Sequence, residues 1–117
     1  MQNLDIYPNK EMLETTDMVI VDIRTEMEWK QTGIVPNAHC VTFFDMSGNY
    51  DAESFLAKMD ELGGKEQEIG LICRTGSRTS QIAGFMSQNG YKVKNLAGGV
   101  MKLISDGYRL KPYKKVR

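Results

Sequence analysis

Two cysteines and a single histidine in 117 residues are too few for a disulfide framework or a zinc site. No apolar run approaches the ~20 residues that cross a bilayer, so no membrane span is expected. The opening residues MQNLDIYPNK lack the basic and apolar regions of a signal peptide, and the expected location is cytoplasmic. In such a reducing compartment a cysteine can serve as a working thiol. Neither sign of charge prevails. The formal net charge is zero, leaving no field to attract nucleic acid or an acidic membrane. Lys111, Lys114, Lys115 and Arg117 make the C-terminal tail locally basic, which reads as a short solvated terminus. Repeats, linkers and low-complexity stretches are also missing, so residues 1–117 are expected to form a single domain.

What is present points to a globular α/β chain. Hydrophobic residues make up 41% and charged residues 26%, a folded rather than disordered balance. Residues Met18–Ile23 are an apolar run suited to a strand buried on both faces. Thr25 followed by Glu28 predicts a capping box opening a short helix, with Trp29 as its core anchor and Gly33 as its stop. Ala38–Phe44 reads as a further strand. Asp51 caps a helix with Phe55, Leu56, Met59 and Leu62 on one face, ended by Gly63 and Gly64. Ile69–Ile72 is a third strand, and a helix is expected from about Arg78 to Asn89, closed by Gly90. Lys92–Leu96 is a fourth strand, and Gly98 and Gly99 lead into a last helix over Val100–Asp106. Strands alternating with helices predict a parallel sheet covered on both sides, with ligands at the carboxyl ends of the strands.

The chemistry concentrates after the third strand, in Cys73–Arg74–Thr75–Gly76–Ser77–Arg78. Gly76 permits positive φ, so the backbone can curl until successive N–H groups converge as an anion nest beside a helix N-terminus. A cysteine at that point has its thiolate stabilised, falling from about 8.5 to somewhere in ~3.5–7.5. Arg74 and Arg78 supply two charges able to hold an oxyanion. The combination favours a nucleophilic thiolate beside an anion site. The competing interpretation is a small buried Cys followed by an ordinary glycine turn.

Cys73, Arg74, Gly76 and Arg78 resemble the Cys-Arg-x-Gly-x-Arg signature of the rhodanese family. Val21–Asp22–Ile23–Arg24 with Glu28 and Trp29 resembles its first motif, and Gly33–Ala38 is similar to its Gly-His-Ile-Pro-Gly-Ala segment. Asn89–Gly90–Tyr91, Asn95–Gly99 and Gly107–Tyr108 are similar to its closing motifs. The resemblance runs from about residue 6 to residue 110, leaving 111–117 as a tail. Ile34 stands where the family usually has His, Asn37 where it often has Gly, and Leu103 where it usually has Trp; these look like packing and turn positions.

The resemblance implies a three-layer α/β domain with a central parallel sheet of about five strands. It implies a thiosulfate sulfurtransferase acting through a Cys73 persulfide. A small sulfur donor such as thiosulfate would load the enzyme, and cyanide, a thiol or a protein would unload it, with no metal and no organic cofactor. In that scheme Cys73 is the nucleophile and the backbone N–H groups of Arg74, Thr75, Gly76, Ser77 and Arg78 hold the sulfur anion. Arg74 and Arg78 bind the donor. Thr79 and Ser80 are expected to cap the following helix. Asp22 and Arg24 are read as a salt bridge or loop brace near the same edge. Cys40 is expected to pack in its strand, the alternative being a resolving thiol, and His39 is too isolated to be a base. Two other function classes stay open. One is a phosphatase or arsenate reductase of related fold, whose loop has five residues between Cys and Arg against four here. The other is a non-catalytic rhodanese-like binding module.

Overall fold

The computed structural model describes residues 3–114. Lys115 and Arg117 of the basic tail lie outside the described residues. The apolar runs become the centre of a sheet. Strand β2 is Val19–Asp22 and β4 is Ile69–Ile72, flanked by β3 (His39–Cys40) on one side and by β5 (Val93–Leu96) and β1 (Asp5–Ile6) on the other. The order is β1-β5-β4-β2-β3, and each neighbouring pair is parallel. Helices α1 (Lys10–Thr15), α2 (Glu26–Thr32), α3 (Ala52–Glu61), α4 (Ser77–Gln88) and α5 (Gly99–Ser105) connect or follow the strands. No helix among the described residues is long and apolar enough to cross a membrane.

The two faces of the sheet bury separate clusters, as the period of two in a strand requires. Val21 and Ile23 of the β2 segment, with Ile69, Leu71 and Cys73 of the β4 segment, meet Phe55 and Met59 of α3 and Ile82, Ala83 and Met86 of α4. Ile20 and Ile72 point the other way and pack with Val100 and Leu103 of α5, against which Met12 and Leu13 of α1 are partly buried. The result is the three-layer α/β arrangement, with Cys73 on the α3/α4 side.

The capping box at Thr25 and Glu28 forms as the sequence indicates, and Asp51 caps α3. Three expectations change. The strand expected over Ala38–Phe44 shrinks to His39–Cys40, because β3 is an edge with a neighbour on one side only. The chain beyond it keeps bonding to the β2 side through Val41 N to Asp22 O (3.0 Å) and Phe43 N to Ile23 O (3.1 Å) before Phe43 turns into the core. The N-terminal β1 and α1 were not anticipated: β1 has two residues, and α1 has six, opened by Asn9 whose side chain accepts from Met12 N. Helix α4 begins at Ser77 after a glycine N-cap, Gly76, so Thr79 and Ser80 do not cap it.

Candidate active site

Strand β4 stops at Ile72 and α4 starts at Ser77, so Cys73, Arg74, Thr75 and Gly76 make the turn. Gly76 sits in the left-handed region at φ 95°, where a side chain is strained, and a Cβ there would come within 3.0 Å of Gly98 N. The Gly76 N–H points back toward Cys73 and donates to its Sγ at 3.1 Å. On the loop's inner side, Val100 N donates to Cys73 O and Met101 N to Arg74 O, each at 3.0 Å. The loop carbonyls thus satisfy N–H groups in the first turn of α5 that have no partner inside that helix. The approach is so close that a side chain on Gly99, at φ 61°, would overlap the Cys73 carbonyl.

The Cys73 residue is 1% exposed. Burial pushes its thiol up. Hydrogen bonding with the Thr79 hydroxyl and with the N–H groups of Thr79, Gly76 and Thr75 outweighs that, so its pKa lies below the ordinary value. Thr79 is fully buried, and its hydroxyl turns inward to lie 3.4 Å from Sγ. Its neighbour Ser80 is exposed and joins the helical ladder through its N–H to Gly76 O.

The two arginines part company. Arg74 is exposed, as are Thr75 and Ser77, and among the described residues the Arg74 side chain makes no hydrogen bond or ion pair. Arg78 is held in a two-pronged ion pair: Nη1 donates to Glu28 Oε1 at 3.2 Å and Nη2 to Oε2 at 3.0 Å. Glu28 Oε1 also accepts from Thr25 N and Thr25 Oγ1, both at 3.2 Å. Burial pushes the Glu28 carboxyl up, but the bonds from Arg78 and Thr25 and the Arg78 charge prevail and hold it below its ordinary value. One carboxylate therefore caps α2 and anchors the end of the loop.

Asp22 and Arg24 form a buried pair, 0% and 1% exposed, with Nη2 to Oδ2 at 2.8 Å. Arg24 also donates to Thr32 Oγ1 (2.9 Å) and Gly33 O (3.0 Å). With every direction occupied inside its own segment, the pair braces the turn from β2 through α2. Cys40 is half-buried. Burial and the Asp22 charge push its thiol up to about 11, Arg24 opposing. Strand β2 separates β3 from β4, which puts the two cysteine segments about 10 Å apart at ordinary strand spacing. That exceeds the ~7 Å a disulfide spans, so Cys40 is not placed as a resolving thiol. Leu103 fills the core at 1% exposure, Ile34 bridges Lys111 in an antiparallel pair, and Asn37 takes φ 70° in a turn, consistent with packing and turn positions.

The structure thus gathers Cys73, Gly76 and Thr79 at the sulfur, and draws Arg78 aside to Glu28. Sequence reasoning missed the second task of Glu28, and missed Asn95, whose side chain touches Thr79. The available signal for Glu28 was a carboxylate in the first turn of a helix whose preceding strand abuts β4. For Asn95 it was an amide two residues after Val93, at an inward-facing place in the strand's alternation.

A model of the rhodanese-like domain family matches residues 8–106 of the chain. The chain is similar to a protein named sulfurtransferase from Allochromatium vinosum, with 29% identity over 100 residues covering 85% of this chain and 83% of the relative. Among solved structures it is similar to a rhodanese-related protein from Thermoplasma volcanium, at TM-score 0.66 and 19% identity, covering 88% and 90% of the two chains. It is also similar to a rhodanese-like domain protein from Staphylococcus aureus, at TM-score 0.61 and 19% identity, covering 92% and 89%. At these identities the structural likeness speaks for the fold alone.

Proposed function

The chain belongs to the rhodanese-like domain family, and from that premise we propose that it is a sulfurtransferase whose sulfur carrier is Cys73. The observation that carries this reading is the thiol's setting. Its sulfur accepts from the Gly76 N–H, a bond that favours the anion, and lies beside the Thr79 hydroxyl. The Cys73 thiolate attacks the outer sulfur of an anionic donor such as thiosulfate. A Cys73 Sγ–S bond forms, the donor's S–S bond breaks, and sulfite leaves with the electron pair. A nucleophile such as cyanide or a thiol then attacks the outer sulfur of the persulfide and returns Cys73 as thiolate. Arg74, exposed and unpaired among the described residues, supplies the charge that meets the donor. Arg78 acts from behind, holding the loop to Glu28. Rates of thiocyanate formation, with thiosulfate and cyanide varied together, test the reading. Parallel double-reciprocal lines are expected from a covalently loaded intermediate. A folded protein that forms no thiocyanate and passes no sulfur to a thiol contradicts it.

A further inference from the structure

Asn95 lies on β5, beside β4, and is 3% exposed. A buried amide is costly unless its polar atoms find partners. Here Nδ2 donates to Asp5 Oδ1 at 2.8 Å and to Gly76 O at 3.3 Å. Those two acceptors fix which way the amide points, so the atom facing Thr79 is Oδ1, 2.5 Å from Thr79 Oγ1. An amide oxygen cannot donate, so the Thr79 hydroxyl hydrogen lies on that line; the Gly76 carbonyl, the hydroxyl's other acceptor, is farther off at 3.3 Å. Threonine has one such hydrogen. While Asn95 holds it, Thr79 can meet the Cys73 thiol only by accepting its S–H. When the thiol loses its proton to solvent, the sulfur anion becomes an acceptor, and the hydroxyl must rotate away from Asn95 to serve it.

We propose that Asn95 is a positioning residue for Cys73, competing with the sulfur for the single Thr79 hydroxyl hydrogen and so setting how readily the thiol ionises. Thr79 keeps its hydrogen throughout and only turns it. Asp5 acts at one remove, by holding the amide so that Oδ1 faces Thr79.

The charged groups around the loop are otherwise matched. Asp22 pairs with Arg24 at the end of β2, Glu28 of α2 with Arg78 of α4, and Lys102 of α5 with Asp106. Arg74 lies on the loop itself, and Asp5 on β1 holds the Asn95 amide. The inference takes Cys73 as the reactive thiol, as the sulfurtransferase reading does, but its test uses no sulfur donor, so the two can fail separately.

The test is a pH titration of the Cys73 thiolate by its ultraviolet absorbance, in a Cys40→Ser background with the protein lacking both cysteines as baseline. No reagent then has to reach a sulfur in a residue 1% exposed. Asn95→Leu removes the competing oxygen at similar volume, and the midpoint should fall by about one pH unit, the order of one hydrogen bond to an anion. Asn95→Asp places a stronger acceptor there and should raise it. Thr79→Val should raise the midpoint and abolish the response to Asn95→Leu. If leucine is not accommodated, Asn95→Ala should give a fall of the same sign. An unchanged or raised midpoint in a folded Leu or Ala variant overturns the proposal. So does an Asn95→Leu effect that survives intact in the Thr79→Val protein.

Discussion

Cys73 and Cys40 are the same residue with opposite prospects, and their surroundings decide between them. Each is pushed toward the neutral thiol by burial. At Cys73 hydrogen bonding with Thr79, Gly76 and Thr75 reverses that push; at Cys40 the nearby Asp22 charge reinforces it, to about 11. Of the two thiols, Cys73 is therefore the one that ionises more readily. The arginines divide in the same way. Arg78 is occupied by Glu28, while Arg74 is exposed on the outer side of the loop. Arg74→Ala should lower kcat/KM for thiosulfate by roughly ten- to a hundredfold. That is the kinetic equivalent of losing a charge-assisted contact of about 1.5–3 kcal/mol. An uncharged sulfur donor should lose much less. Equal kcat/KM for thiosulfate in parent and variant would assign donor binding to the backbone alone.

At the scale of elements, α2 and α4 are tied by one ion pair, and the tie has a pH signature. The Glu28 carboxyl is lowered in the folded state. Its contribution is therefore complete above the unfolded value of about 4.3 and is lost as pH falls through the lower folded value. Glu28→Gln should cost about 1 kcal/mol of stability at neutral pH, a partly exposed pair being worth little more. The difference from the parent should narrow in acid as the parent's carboxyl protonates, which denaturant unfolding at several pH values reads directly. A deficit that persists unchanged in strong acid would mean that glutamine disturbs packing, not charge. Much of this element structure was legible from local pattern. The apolar run Ile69–Ile72 is β4 to the residue, and Thr25 with Glu28 announced the start of α2. The Glu28–Arg78 pair was not legible, because its partners are 50 residues apart and the capping box already gave Glu28 a local role. A threonine near a helix start is usually a cap, and the sequence around Thr79 offers nothing to say otherwise. The positive φ of Gly76 ended the turn earlier and left the hydroxyl three residues inside the helix, facing the sulfur.

At the scale of the molecule, topology assembles what sequence separates. Crossing from β4 to β5 and bringing the N-terminal β1 to the far side of β5 sets Asp5 against Asn95, 90 residues away, with the loop and α5 pressed together behind Cys73. The alternation of strand and helix foretold the parallel sheet; it carried no information on the strand order, nor on β1, whose two residues are too few to show a period. The loop holds four residues between Cys73 and Arg78, and the Gly76 N–H within it donates to the Cys73 sulfur. The claim that this cradle carries sulfur is tested most directly by intact mass after incubation with thiosulfate and removal of the excess. The parent and Cys40→Ser should each gain one sulfur atom and lose it again on addition of cyanide, while Cys73→Ser, folded like the parent, gains none. A parent that gains no mass yet hydrolyses aryl phosphates, or sulfur that loads Cys73→Ser and not Cys40→Ser, would contradict the account.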